Sequence, residues 1–319
     1  AGAIPFTGRA GAPHYSAAGC LDGFDVHLDG DHSDGDQPAS LTADVVIGAD
    51  GALTRVGAAA GLVDDKRAIW GFALRGYIDT AVDLPRIYFW EPSPWSGYPG
   101  YGWVFPGEDG AANVGIGVAA LGDRRIGGRA VRDLPRFLAD AGLDPSALSP
   151  TMGGWLKMGM VGTVPAAGNV LLVGDAAGLV NSLQGEGIAQ ALGSGRAAAE
   201  AVLKVGPTGA ASLYLEELAA RYAPHASTTG PATAWMIERP RAVAAIGRLL
   251  TEPIIGHALS GGWAIYWNDL LDGASPGWPR RVARLAHRAG SLITSRTAAR
   301  RELRESLSVT ESVAAAESC

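Results

Sequence analysis

Two short stretches place glycine next to a carboxylate in a pattern suited to an anionic or electron-rich ligand. Gly174-Asp175 closes the apolar run NVLLV, and further on Gly185-Glu186-Gly187 precedes a long alanine-rich segment. A carboxylate at a strand end can accept hydrogen bonds from ligand hydroxyls. The first amide N–H groups of a helix are unpaired and carry partial positive charge, which suits an anion or a polarised carbonyl. Glycine at 185 and 187 would let a flat ring approach the backbone. The same residues also suit a plain strand–helix unit whose glycines serve packing, and spacing alone leaves both readings open.

A second pair, Asp50-Gly51 with Arg55 after it, follows the apolar run DVVIG. It reads either as a ligand-holding turn, with Arg55 on a phosphate or in a structural contact, or as an aspartate capping a helix beside a turn glycine. A third stretch, Tyr101, Trp103, Phe105 and Pro106, alternates aromatic residues, so on a strand the three rings share one face. Such a stripe is either core or the wall of an apolar slot with polar tips. Tyr101 and Tyr98 are the nearby groups nominated as proton donors. Gly115-Ile116-Gly117 has the start of a dinucleotide fingerprint but no helix opening or acidic partner after it, so it reads as a strand with glycines.

These residues need particular elements to hold them. The pattern predicts strands at Gly23 to Leu28 and Asp44 to Ile47. It then predicts an antiparallel sheet from Ile69 to Tyr77, Arg86 to Glu91, Tyr101 to Pro106 and Ala111 to Ala119. A helix is expected at Arg132 to Ala141, then a buried strand at 169–173 and a long helix from about Glu186. From Gly209 the chain reads as helical, with breaks at Gly230-Pro231, Gly261-Gly262 and Gly273 to Pro279.

Taken in chain order, the three stretches resemble the geranylgeranyl reductase family, flavoproteins folded like para-hydroxybenzoate hydroxylase. GDAAGLVNSLQGEGI, DVVIGADGALTRV, PGYGWVFPGEDG and, more weakly, WAIYWNDLLDGA carry the resemblance. It implies a mixed α/β (α+β) FAD/NAD(P)-binding fold lacking its first βαβ unit, with an antiparallel-sheet substrate domain and a helical C-terminal part. The expected division is 1–56 for the remainder of the FAD-binding domain and 57–164 for the substrate domain. Residues 165–205 return to the first domain, and 206–319 form the helical region. By the same resemblance Gly174 and Asp175 hold the ribityl chain of FAD, and the backbone of Gly185, Glu186 and Gly187 lies against the pyrimidine edge of the isoalloxazine. Asp50, Gly51 and Arg55 hold the pyrophosphate region, and Tyr101, Trp103, Phe105 and Pro106 line the substrate cavity. The implied activity is reduction of isoprenoid C=C bonds with NAD(P)H or another electron donor, on a prenylated lipid, quinone or pigment precursor. The alternatives are a flavin monooxygenase or halogenase of the same fold and a non-catalytic lipid-binding fragment. Ser182 departs from the family, which has proline there. No G-x-G-x-x-G unit occurs in the sequence, so FAD binding by this chain is expected to be weak or absent.

Composition bounds the rest. Glycine supplies 45 of the 319 residues, roughly twice the ordinary share, as close backbone approaches require. A net charge of −6 argues against nucleic acid as the main partner. Cys20 and Cys319 build no disulfide framework or metal set, so a cytoplasmic setting is expected and no metal. Against that acidic balance, 280–304 holds eight arginines and one acid, Glu302. It reads as a solvated arginine face on a packed helix or as a peripheral contact with the inner face of a membrane.

Overall fold

The computed structural model describes residues 3–17, 19–28, 39–89, 100–107, 110–268, 271 and 273–295. Three strands come first, β1 (Gly8–Tyr15), β2 (Leu21–Leu28) and β3 (Ala39–Thr42), paired antiparallel in that order. β4 (Val46–Gly48) then runs into the short helix α1 (Arg55–Ala59). β4 pairs in parallel with β11 (Val170–Leu172), which pairs antiparallel with β10 (Ala166–Ala167). Val170, Leu171 and Leu172 are buried, as a strand covered on both faces requires.

Between these strands lies a five-stranded antiparallel sheet in the order β6-β7-β8-β5-β9. Its members are β5 (Ile69–Ile78), β6 (Arg86–Phe89), β7 (Gly100–Pro106), β8 (Ala112–Leu121) and β9 (Met152–Met158). Period-two alternation divides it cleanly. Trp70, Leu74, Val104, Val114 and Ile116 pack against Ala130, Leu134 and Phe137 of helix α2 (Ile126–Asp140). The other face carries Gly71, Tyr101, Trp103, Gly117, Leu156 and Met158, which bound a cavity. The sequence pattern hides β9 because Gly153 and Gly154 interrupt the alternation; a Cβ on Gly153 would lie 2.7 Å from the Phe72 ring. The start of α2 is hidden in the same way by Gly127-Gly128.

Five helices complete the described chain: α3 (Ile188–Val205), α4 (Pro207–Glu238), α5 (Pro240–Leu250), α6 (Gly256–Trp267) and α7 (Trp278–Ser295). Tyr214 of α4 is fully buried, and its hydroxyl donates to the Leu172 carbonyl at 2.7 Å, tying α4 to β11. Two of the expected helix breaks are not breaks. α4 continues through Gly230-Pro231, where a Cβ on Gly230 would stand 3.0 Å from the Gly159 carbonyl oxygen. α6 continues through Gly261-Gly262, where α7 packs. At both places glycine marks backbone crossing backbone and does not end the helix. The expected break at 273–279 does separate α6 from α7.

Candidate functional site

Parallel strands present their ligands beyond their carboxyl ends, and β4 and β11 end side by side. The Val173 amide donates to the Gly48 carbonyl at 3.0 Å, so the turn after β4 and the turn after β11 are neighbours. Asp50 and Asp175 stand in these two turns. Sequence separates them by more than a hundred residues, and the strand pairing brings their turns together.

The turn after β11 is held tightly. The Gly174 amide donates to Ser194 Oγ of α3 at 2.9 Å, and Gly174 has φ +55°, a left-handed value that favours glycine. Asp175 is half-buried, and the Cβ that Gly187 lacks would sit 3.3 Å from its Oδ1. Carboxylate and helix start therefore face the same small space. Gly187 is the N-cap of α3 and gives it no side-chain hydrogen bond, so the helix opens toward that space. Glu186 is exposed, and its Oε1 accepts weakly from the Ala189 amide at 3.3 Å. Gly185, at φ +69°, rests over Leu156.

Loss of solvent lifts the Asp175 carboxyl above its ordinary 3.8, while a bond from its own backbone N–H pulls it down more weakly. An acid whose folded pKa is raised costs stability once ionised, and that cost vanishes as the pH falls toward the unfolded value. Asp175→Asn is therefore expected to raise the denaturation midpoint at pH 7. Its advantage over the parent should close as the pH approaches 3.8. Equal midpoints at pH 7 would remove the desolvated carboxylate from the account.

Asn181, which the sequence reading passed over, shapes the loop from 181 to 187. Its Oδ1 accepts from the Leu183 and Gln184 amides at 3.0 and 3.2 Å, an Asx turn, and its amide donates to the Glu186 carbonyl at 2.9 Å. The signal available was an asparagine ahead of a glycine-rich turn. Beside it, buried Ser182 accepts from Thr233 Oγ1 of α4 at 3.0 Å. Ser182 is thus pinned to α4 by a hydroxyl–hydroxyl bond. Ser182→Ala should cost about 1–3 kcal/mol by leaving the Thr233 hydroxyl buried and unpaired. Adding Thr233→Val should restore much of it, and additive losses in a denaturation double-mutant cycle would dissolve the pair.

A cavity of about 170 Å³ lies between the open face of the sheet, the loop at 182–185 and Thr233 and Met236 of α4. Its walls are mostly apolar. Tyr101 and Trp103 line it, with ring centroids 5.9 Å apart, and Trp103 Nε1 donates to Asn113 Oδ1 at 2.9 Å. Gly115 and Gly117 of β8 lie beneath these rings, and a Cβ on Gly115 would be 2.2 Å from the indole. The Gly-Ile-Gly stretch is therefore the floor on which the aromatic stripe rests. Phe105 and Pro106 continue the strand beyond the cavity and do not line it. Tyr101 donates to the Gln184 carbonyl, and burial pushes its hydroxyl up to about 12. It stays protonated and braces β7 against the loop. Tyr98 lies outside the described residues.

In the turn after β4, Gly51 has φ +78°, and Asp50 Oδ2 accepts from the Arg55 and Val56 amides at 2.6 and 3.2 Å. Asp50 thus takes the first two amides of α1, while the N-cap position itself is held by Thr54, whose Oγ1 accepts from the Gly57 amide at 2.9 Å. Arg55 Nη1 donates to the Ala10 carbonyl of β1 at 2.7 Å, so this arginine makes a structural contact.

No family model matches the chain. A menaquinone reductase of Mycobacterium tuberculosis is 37% identical over 166 residues, covering 49% of this chain and 40% of the relative. A digeranylgeranylglycerophospholipid reductase of Methanopyrus kandleri is 34% identical over 171 residues, 50% of this chain and 41% of the relative. Among solved structures, a geranylgeranyl bacteriochlorophyll reductase-like protein from Thermoplasma acidophilum superposes on 73% of this chain and 57% of its own, with a TM-score of 0.56 at 24% identity. Over about half its length the chain is similar to these quinone and prenyl-lipid reductases. A flavin-dependent halogenase shares the fold, with a TM-score of 0.51 at 17% identity over 81% of this chain and 50% of its own. The architecture is thus the mixed α/β fold of these flavoproteins. The chain spans about two fifths of the length of the curated relatives it matches.

Proposed function

We propose that this chain carries the redox and substrate part of a flavin-dependent reductase acting on C=C bonds of prenyl chains. The observation that carries the reading is the apolar cavity walled by Tyr101 and Trp103, which reaches Gly185 in the loop leading to Gly187 and the start of α3. A flat cofactor would lie in the space there. A side chain at Gly187 would run into Val180 at 2.9 Å and crowd Asp175, so the position is bare where a ring must approach. Asp175 would take ribityl hydroxyls, and the N-terminus of α3 would face the electron-rich edge of the ring. Bound there, FAD would supply the hydride after reduction by NAD(P)H or another two-electron donor.

The chain's own residues do the rest. The cavity is smaller than the roughly 300–1,000 Å³ that encloses a drug-sized ligand, so it would hold a segment of a prenyl chain and leave the head group outside. Met158, Leu156 and Met236 exclude water around that segment. One hydride and one proton must add across the double bond. The proton sits ready on Tyr101 Oη, which would give up its bond to Gln184 to deliver it. Prenylated quinones and geranylgeranyl lipids, the compounds after which the relatives are named, are the substrates to try first.

The test is anaerobic incubation of the chain with a large excess of FAD, dithionite and a geranylgeranylated lipid or menaquinone, read by mass spectrometry. The expected product has gained two hydrogens. Flavin bound with the double bonds untouched would sink the reductase, and no saturable flavin binding would sink the cofactor assignment. Turnover that requires oxygen would move the chain to the monooxygenase reading.

A further inference from the structure

We infer that α7 is a docking element that seats the protein on an anionic lipid surface. The helix holds Arg280, Arg281, Arg284 and Arg288 and no acidic residue, in a chain whose net charge is −6. At about 100° per residue, Arg281, Arg284 and Arg288 fall within roughly a third of the helix circumference together with Trp278, Leu285 and Leu292. All six are exposed; Trp278 is 69%, Leu285 65% and Leu292 56% accessible. A solvated surface helix would keep its large apolar residues on the inner side. Here three of them stand outward beside three guanidinium groups, the pattern of a helix lying in a lipid–water interface.

The inner side is already committed. Ala283 is fully buried, and a Cβ on Gly262 of α6 would lie 2.6 Å from Val282, so the two helices meet nearly backbone to backbone. α7 is thus a fixed element offering a fixed face. Arg281 lies over the Trp278 ring, 5.3 Å from its centroid, so charge and apolar surface form one patch. Charge complementarity selects the occupant: guanidinium groups take phosphate headgroups while indole and leucine enter the acyl boundary. On the prenyl-reductase reading the location is also useful. Trp263 of α6 packs on Met236 of α4, which lines the cavity, so α6 and α4 join this face to the cavity wall. The docking itself does not depend on that reading.

The experiment is co-sedimentation with vesicles of phosphatidylglycerol and phosphatidylcholine, against vesicles of phosphatidylcholine alone, at low and high salt. Binding is expected to the anionic vesicles and to weaken steeply with salt. Each arginine near such a surface is worth about a fivefold gain in partition. Arg281→Gln, Arg284→Gln and Arg288→Gln together should therefore lower the partition coefficient about a hundredfold. Arg132→Gln with Arg136→Gln, on exposed positions of α2, should leave it unchanged. Equal binding to both vesicle types, insensitivity to salt, or a triple variant that binds like the parent would each overturn the inference. Should the triple variant lose helicity, the salt titration of the unaltered protein decides alone. Failure to bind vesicles, together with self-association through Trp278 and Leu285, would assign the face to a second copy and equally overturn it.

Discussion

Gly115→Val is expected to cost about 3 kcal/mol or more of folding stability and to leave little of the five-stranded sheet intact. The first added carbon would lie 2.2 Å from the Trp103 indole and 2.6 Å from the Leu74 carbonyl oxygen. The indole can swing away, but the carbonyl is backbone in β5, which pairs with β8 along its whole length. Overpacking against a movable side chain costs about 1–3 kcal/mol, and a backbone conflict adds to it. Gly117→Ala is the matched control. Its nearest neighbour would be Tyr101 Cε1 at 3.9 Å, ordinary contact, so stability should hold. That methyl would, however, stand on the cavity floor and raise KM for a prenyl substrate more than it lowers kcat. Denaturant unfolding of the two variants separates packing from lining. A Gly115→Val protein as stable as the parent would mean that the indole does not need this floor.

Gly187→Val is expected to lower FAD affinity at least tenfold, about 1.4 kcal/mol, with the fold largely preserved. The substituent would meet Val180 Cγ2 at 2.9 Å and stand 3.3 Å from Asp175 Oδ1, in the space between the carboxylate and the start of α3. Val180 can yield by a rotamer change, so the loss should show in the ligand site more than in the melt. Glu186→Ala, one residue away and exposed, should leave affinity within a factor of about two. Fluorescence titration with FAD reads both. Equal affinities for Gly187→Val and the parent would show that the ring does not approach the helix start.

Much of this arrangement was legible in the residues, and the failures share a cause. The sheet strands at 69–78, 100–106 and 112–121 follow from alternation of apolar residues, and β11 from a short apolar run ending in glycine. The juxtaposition of Asp50 and Asp175 could be anticipated only through the family resemblance, since no local rule pairs β4 with β11. Glycine misled the reading at several places where it had more than one physical use. At Gly230 and Gly261-Gly262 it allows helices and loops to touch, and it was read as a break. At Gly153 it admits the Phe72 ring, and it concealed a strand. At Gly115 and Gly117 the reading as a strand with glycines holds in β8, and the same glycines make room for aromatic rings. Phe105 was grouped with Tyr101 and Trp103 because alternation fixes a face but not how far along that face the cavity extends. Arg55 shows the same limit: the residue type suits phosphate, and only the position of the β1 carbonyl shows that it is already engaged.

The cavity is closed by contacts between distant parts of the chain. The Tyr101–Gln184 bond spans 83 residues and the Thr233–Ser182 bond 51. Closing such loops must precede the contacts that reward it, whereas the hairpins of the sheet and α2 can form from neighbours. The order of assembly follows: the β6-β7-β8 hairpins and α2 first, then β9, whose pairing with β5 spans up to 89 residues, together with the strand pair carrying the two aspartate turns, and the cavity last. On heating the sequence should run backwards. Loss of the cavity should then precede loss of the sheet, so inactivation by temperature would be governed by how fast α4 releases the loop at 182–185, with the bulk of the secondary structure still in place.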